Sequence, residues 1–373
     1  MFRIVIAGYY GFNNVGDDAL LYAITSSLIE EVPALQFAVL SNNPKETEAL
    51  FHLPAYNRWS IKEIVGQLRH SDLLLMGGGS LLQDVSSPRS TLYYLAIIQI
   101  AKWLGKPVVL YAQGFGPVSH QANKWLIRRI VNQVDLITVR DAESKDDFLQ
   151  HGVTKTPIHV AADPAFLLHV QSDDLEAGTE VFTRYGCLNG RPTLGISVRD
   201  WKDEHAFKEV LAHAADEVVR MGWNVVFLPM HYPHDLQASQ DIVNLMKEPA
   251  FCIDEKLNYR QMIGCIAQLD MMVGMRLHAA ILAAAQSIPF ITLSYDPKVD
   301  RFVESMGMPN AGRVETLQLE PFLPLLLNTI EHREDWRNHL LEQLRTFREK
   351  AALSNEKVLQ LLEEKKTSLN TRT

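Results

Sequence analysis

The chain has 373 residues, of which 47% are hydrophobic and 21% charged, proportions that exclude a disordered chain and a membrane-embedded one. That length predicts two domains of about 150–200 residues each. A formal net charge of −8 excludes wholesale nucleic-acid binding and leaves local basic patches as the route to an anionic partner.

The opening MFRIVIAGYY ends its apolar run at Gly8 and reads as a first strand, without a signal-peptide core or cleavage site. Apolar runs at 3–7, 37–40, 73–76, 108–111 and 136–139 read as strands. Amphipathic helices over 18–31, 60–69, 91–104, 121–132 and 142–150 alternate with them, the last stopped by Gly152. Such alternation predicts a parallel sheet, and residues 1–170 form the first expected domain. The polar, glycine-containing stretch 171–191 reads as a linker. Strands at 194–198, 225–228, 251–253, 269–273 and 290–293, with helices at 206–221, 236–247, 259–267 and 277–286, then repeat the scheme in a second domain over 192–320. The tail over 321–373 is expected to form helices bracing the domains. The predicted class is therefore α/β, with two Rossmann-like doubly wound domains facing a cleft. No apolar run approaches the roughly 20 residues that span a bilayer, so membrane contact is expected to be peripheral at most. Cys187, Cys252 and Cys265, an odd set without CxxC spacing, fit a reducing, cytoplasmic location.

Open parallel sheets bind ligands beyond the carboxyl ends of their strands, so the loops there carry the chemical reading. GYYGFNNVGDD (8–18) lacks GxGxxG spacing, and Tyr9, Tyr10, Phe12, Asn13 and Asn14 stand where a pyrophosphate needs bare backbone. Tyr10 and Phe12 are expected to stack on a sugar, with Asn13 and Asn14 bonding its hydroxyls; the competing reading is a structural turn capped by Asp17 or Asp18. In MGGGSLLQD (76–84), Gly79 and Ser80 offer an anion nest, against a competing role in close packing. YAQGFGP (111–117) brings Gln113 as a shaping residue. LITVRD and ISVRDW place Arg140 and Arg199 just beyond buried strands, where two guanidinium forks can hold one dianion; the alternative for Arg140 is a structural pair with Asp141 or Asp163. His231 and His234 are spaced too loosely for a metal site, and none is expected. No HExxH, Asp-rich Mg²⁺ loop or GxSxG elbow is present, which weakens hydrolase readings. The stretch MMVGMRLHAAILAAAQSIPFITLSYDPK (271–298) sets Arg276, His278 and Lys298 at the ends of a strand, helix, strand unit. A helix N-terminus favours phosphate or carboxylate, so these three cationizable groups point to an anionic ligand, with a buried core histidine as the blander reading of His278.

The segments GYYGFNNVGDDALL, LLMGGGSLLQD, YAQGFGP, VRDAES, AADPAF, ISVR and GMRLHAAILAAA followed by SYDPK resemble the polysaccharide pyruvyl transferase family, from the first strand to about Phe302. The opening motif is similar to that of its cell-surface anchoring branch, CsaB. The resemblance implies a GT-B-like fold and the use of phosphoenolpyruvate as co-substrate, with no further cofactor, to place a pyruvate ketal across two sugar hydroxyls. For that branch it implies a lipid-diphosphate-linked disaccharide acceptor whose β-N-acetylmannosamine is ketalised at O4 and O6, for S-layer anchoring. It also implies an acceptor-binding first domain with Tyr10 and Phe12, and a second domain that binds phosphoenolpyruvate. Arg140, Arg199, His278 and Lys298 fall on phosphoenolpyruvate or catalytic positions, with His278, Arg140 and Lys298 expected as catalytic and Arg199 as a phosphoenolpyruvate contact beside Arg276, Gly79 and Ser80 from the residue reading above. An imidazole can donate a proton near neutral pH and a guanidinium cannot, so His278 is expected as the acid.

Two other classes fit the two-domain plan: a GT-B glycosyltransferase using a nucleotide sugar, and a non-catalytic carbohydrate-binding protein. The first lacks a spaced carboxylate for ribose, and the second has no need of the Arg276, His278 and Lys298 cluster. Trp125 with Lys124, Arg128 and Arg129 is a candidate contact with the inner face of the membrane, competing with an ordinary solvated helix face.

Overall fold

A computed structural model of the chain describes residues 2–85, 88–202 and 204–370. Two compact units emerge: unit 1 comprises 1–12, 17–168 and 347–373, and unit 2 comprises 13–16 and 169–346. The loop after the first strand is thus shared, because its residues 13–16 pair with unit 2, and the tail is divided between the units.

Unit 1 contains β1 (Arg3–Ala7), β2 (Gln36–Ser41), β3 (Ala55–Asn57), β4 (Leu73–Met76), β5 (Gly79–Leu82), β6 (Val108–Phe115), β7 (Leu136–Val139) and β8 (Ile158–Val160). All pair in parallel in the order β3-β2-β1-β4-β6-β7-β8, with β5 also joined to β6. Strand side chains alternate between faces, and both faces are covered. Val5, Ala38, Leu74 and Val108 face one apolar cluster, while Ile4, Ile6, Val39, Leu75 and Val109 face another. The second cluster is completed by Val358 and Leu362 of the tail. There the buried Asn355 accepts from the Tyr111 hydroxyl at 2.5 Å and Ser354 donates to Thr138 at 2.9 Å.

Unit 2 holds β9 (Thr193–Ser197), β10 (Asn224–Phe227), β11 (Phe251–Cys252), β12 (Met271–Gly274), β13 (Phe290–Ser294) and β14 (Asn310–Arg313), all parallel, in the order β11-β10-β9-β12-β13-β14. The expected strands are present, so the chain is α/β with two parallel-sheet domains. The edge strands β3, β8 and β14 and the short β5 had no periodic signal, being three or four residues long.

The expected linker is corrected. Residues 171–191 contain the helix Ser172–Tyr185, terminated by Gly186 in the left-handed region (φ 73°) and packed on the helix Tyr259–Ala267. Its polarity belongs to a solvated outer face, while Val181 and Phe182 are fully buried. The two helices meet backbone to backbone: a Cβ on Gly264 would lie 1.8 Å from the Asp174 carbonyl oxygen. The tail is two helices, Leu319–Glu331 and Arg333–Asn370. The three cysteines are unpaired.

Asp84 ties the loop after β6 to the sheet. Its carboxylate accepts from the Ser119 N–H at 2.8 Å, the Ser119 hydroxyl at 2.9 Å, the His120 N–H at 2.9 Å and the Asn123 amide at 3.1 Å. Burial raises its pKa, but these hydrogen bonds outweigh burial and hold it at about 2.

Two stability predictions follow from this packing. Gly264→Ala should destabilise by about 1–3 kcal/mol, since backbone cannot yield as a side chain can; urea denaturation against wild type checks it, and an unchanged midpoint would contradict the close approach. Asp84→Asn should cost on the order of 2 kcal/mol at neutral pH. Because the folded pKa is depressed, that difference from wild type should shrink as pH falls from about 4 towards 2, which paired denaturation curves across this window would reveal.

Candidate active site

In unit 2 strand order reverses between β9 and β12, and in open parallel sheets the carboxyl edge at such a reversal is where ligands bind. Arg199 lies just beyond β9, Arg276 and His278 beyond β12, and Lys298 beyond β13. These are three adjacent strands, spaced about 4.8 Å apart. The helix Leu277–Ala285 begins at this edge, and Ala279, Ala280, Ala283 and Ala284, all fully buried, let it sit close to the sheet.

Arg276, expected as an anion contact, is engaged by a protein carboxylate. Its guanidinium grips the fully buried Asp235, with Nε donating to Oδ2 at 2.9 Å and Nη2 bonding Oδ1. The same Oδ2 accepts from the His231 N–H at 3.0 Å. A buried carboxylate requires such a partner, and the fork satisfies it bidentately. No motif pointed to Asp235, because its partner lies 41 residues away.

His278 is half-buried at the start of its helix and lies against Gly16: a Cβ there would stand 2.4 Å from Nδ1. Gly16 is held by the segment 13–16, in which Asn14 bridges to His231, the Val15 N–H donates to Met230 O at 2.9 Å and the Tyr232 N–H donates to Asn13 O at 3.2 Å. Asn14 Oδ1 accepts from the Gly16 N–H at 3.1 Å, and Asn13 adopts a left-handed φ of 59°. The two asparagines expected to bond a sugar therefore shape the turn that carries Gly16.

Arg199 is cushioned by aromatic faces, its guanidinium 5.2 Å from the Tyr295 ring and 5.7 Å from the Trp201 ring. Its Nε donates to Asp200 O at 3.3 Å, and no carboxylate among the described residues lies within ion-pair reach of it. Trp201 is fixed by donating from Nε1 to Glu315 at 2.9 Å. Lys298 Nζ stands 3.1 Å from Asp296, whose carboxylate also caps its helix. The His231 and His234 rings are 4.5 Å apart, and no group of three His, Cys, Asp or Glu among the described residues is arranged to hold a metal.

Unit 1 has its own reversal, between β1 and β4, and Tyr10 fills it. The ring is 1% exposed, and a Cβ on Gly8 or Gly77 would lie 2.4 or 1.9 Å from it. Burial, then the nearby Asp17, raises the Tyr10 pKa well above the usual phenol value. Tyr10 is thus a neutral plug and presents no stacking face, a correction to its expected role. Phe12 remains half-buried and stacks on Tyr9 at 4.2 Å.

The glycine loop is likewise occupied by protein. Gly79 pairs with Gln113 across β5 and β6, while the Gln113 amide donates to Met76 and Gly77 carbonyls. Ser80 Oγ accepts from Arg140 Nη2 at 3.3 Å. Gly79 and Ser80, expected as an anion nest, thus take part in contacts within the sheet. Arg140 is 7% exposed, with Nε 3.6 Å from Asp141 and Nη1 3.4 Å from Asp163, so two carboxylates balance its charge. On the outer surface Trp125 is 59% exposed beneath the Arg129 guanidinium, and no described helix is long and apolar enough to cross a membrane.

The sequence profile of the polysaccharide pyruvyl transferase family matches residues 14–297, well over half of the chain. A curated relative, the amylovoran biosynthesis protein AmsJ of Erwinia amylovora, is 20% identical, with 84% of this chain and 89% of that protein aligned. Among solved structures, UDP-GlcNAc 2-epimerase from Neisseria meningitidis bound to UDP-GlcNAc superposes with a TM-score of 0.67 at 13% identity, covering 96% of this chain and 100% of that one. HepE of Anabaena in complex with UDP-glucose gives 0.63 at 10% identity, with coverages of 98% and 100%. These likenesses establish the fold, that of GT-B glycosyltransferases and UDP-GlcNAc 2-epimerases.

The Asp235 to Arg276 pair yields a test of its structural role. Asp235→Ala should cost roughly 3–5 kcal/mol by stranding a partly buried guanidinium, and a double variant that also carries Arg276→Met should recover part of that loss. Chemical denaturation of the four proteins in the cycle measures it, and strictly additive losses would argue against the pair.

Proposed function

The chain belongs to the polysaccharide pyruvyl transferase family, and we propose that it transfers pyruvate from phosphoenolpyruvate, as a 4,6-ketal, onto β-N-acetylmannosamine of a lipid-diphosphate-linked cell-wall precursor, for S-layer anchoring. The observation that carries the reading is the set Arg199, His278 and Lys298, leaving three neighbouring strands of one sheet at the same edge. Phosphoenolpyruvate carries a phosphate and a carboxylate on three carbons. Arg199, without a carboxylate partner among the described residues, and the N-terminus of the helix Leu277–Ala285 suit those two anions. The relative from Erwinia amylovora is named for the biosynthesis of a polysaccharide, which agrees with the class of acceptor.

In this mechanism His278 delivers a proton to the methylene carbon of phosphoenolpyruvate, leaving an oxocarbenium-like C2. One sugar hydroxyl adds to C2 and gives its proton back to the histidine. The bond from C2 to the phosphate oxygen then breaks, phosphate departs, and the second hydroxyl closes the ketal while its proton leaves with phosphate. Lys298 and Arg199 stabilise charge on the phosphate and carboxylate, and Arg140 stabilises charge that develops during the transfer. Arg276 supports the loop through Asp235. The chain works in the cytoplasm, at the inner face of the membrane where the lipid-linked acceptor lies, with Trp125 and Arg129 as a peripheral contact.

Purified protein incubated with phosphoenolpyruvate and a lipid-diphosphate disaccharide ending in β-N-acetylmannosamine should release phosphate in step with a ketal gain in product mass. His278→Ala should lower kcat by about 10²–10⁴-fold, and Gly16→Ala, which displaces the imidazole, should also lower it. Near-normal kcat in His278→Ala sinks the assignment of the acid. Sugar transfer from a nucleotide sugar with no phosphate released from phosphoenolpyruvate would replace the proposal by a glycosyltransferase.

A further inference from the structure

Beside the loop 8–12 of unit 1 lies a residue that no motif marks. Arg58 is 3% exposed, yet no carboxylate among the described residues pairs with it. Its guanidinium is surrounded by rings: Tyr93 at 4.3 Å, Phe12 at 5.0 Å, Trp59 at 5.2 Å and Tyr94 at 5.5 Å. Nη1 donates to Gly8 O at 2.7 Å and Nη2 to the Tyr94 hydroxyl at 3.3 Å. A buried cation held by ring faces draws those rings into one fixed group.

The outermost member is Trp59, 59% exposed. Its orientation is set by three contacts: Nε1 donates to Asn42 Oδ1 at 2.9 Å, its backbone N–H donates to Asn57 Oδ1 at 2.9 Å, and its ring meets Tyr93 at 5.1 Å. Asn42 in turn donates to Gly11 O at 3.3 Å, joining the indole to the loop that bears the stacked Tyr9 and Phe12. A flat, immobilised, solvent-facing ring rimmed by exposed amides matches a pyranose, which offers C–H groups on its face and hydroxyls at its edge. A flexible apolar patch for a protein partner would have neither the rim nor the fixed ring.

We infer that Trp59, held by Arg58 and Asn42 and continued by Phe12, is a binding platform for a sugar unit of the acceptor other than the one being ketalised. The inference rests on the pyruvyl-transfer reading for the nature of that acceptor. Trp59 follows β3, and the order β3-β2-β1-β4-β6-β7 puts that strand five positions from the one ending at Arg140, about 24 Å at the usual strand spacing. One hexose cannot lie at both places. The platform therefore governs acceptor affinity and leaves the chemical step alone.

The test compares wild type, Trp59→Phe and Trp59→Ala, with the same disaccharide-diphosphate-lipid as acceptor. Trp59→Ala should raise the acceptor KM roughly five- to tenfold, with kcat and the phosphoenolpyruvate KM within about twofold, and Trp59→Phe should fall between. Saturation-transfer NMR of the disaccharide without phosphoenolpyruvate should show contact with wild type that Trp59→Ala loses, while circular dichroism remains that of wild type. An unchanged acceptor KM in Trp59→Ala overturns the platform and leaves pyruvyl transfer standing. Disaccharide binding that depends on Trp59, without phosphate release by wild type, upholds the platform and removes the transfer reading. Disaccharide binding that is absent from wild type, or equal in both proteins, overturns the platform.

Discussion

The reversal of strand order between β9 and β12 is the constraint on which the chemistry of unit 2 depends. Successive connections turn to opposite faces of the sheet at that point, so the loops part and leave room for a ligand. The Met275 N–H donates to Ser197 O at 2.7 Å, locking the carboxyl ends of the two strands together just before Arg276. Four fully buried alanines then let the next helix lie close to the sheet. The position of His278 is consequently fixed by backbone: by the sheet below it, the helix that carries it and the bare Gly16 against its ring. The acid role proposed for His278, which needs one nitrogen held towards one carbon, is served by support of this rigid kind.

Charge divides the cations into two sorts. Arg276 and Arg140 face carboxylates, Asp235 in one case and Asp141 with Asp163 in the other. These pairings offset the cost of burying Asp235 and Asp163. Arg199 rests beside the rings of Tyr295 and Trp201, and of its donors Nε bonds the Asp200 carbonyl, so its charge is not offset by a carboxylate among the described residues. Lys298 is intermediate, with one carboxylate 3.1 Å away and its side chain 29% exposed. In unit 1 the equivalent crevice is filled by a neutral Tyr10, and the surrounding surface is aromatic and amide-bearing. The two sheets thus carry different side chains beyond their carboxyl ends: cationic beyond β9, β12 and β13, and aromatic and amide-bearing beyond β1 and β3.

Much of this organisation was legible in the sequence, because periodicity and strand-end position are local properties. The apolar runs that became β1, β4, β7, β12 and β13, and the placement of Arg140, Arg199, His278 and Lys298 just beyond strands, needed no knowledge of distant residues. What could not be read were pairings across long separations. Asp235 lies in a loop of no distinctive pattern, and only the folded chain brings it to Arg276. Tyr10 looked exposed in an aromatic and amide-rich loop, but the glycines at 8 and 77 leave a hollow of its size. The stretch 171–191 looked like a linker because a helix packed through Gly178 and Gly264 needs few large apolar residues to stay in place. Arg58 sits between a three-residue edge strand and an ordinary helix cap, with nothing nearby in sequence to suggest four rings around it.

Under the ketal transfer proposed above, this arrangement has a physical rationale. Two hydroxyls of one sugar must reach the same carbon in succession, so the reacting ring has to shift between the first addition and the closure. Groups gripping that ring tightly would stabilise one position and oppose the other, which lowers KM without helping the later transition state. Holding a neighbouring sugar on a rigid indole supplies binding energy at a distance and confines the reacting unit without immobilising it. An enzyme that forms two bonds at one carbon therefore has reason to hold its acceptor at a distance from the reacting unit, and β3 is the farthest strand from β7 in the unit 1 sheet.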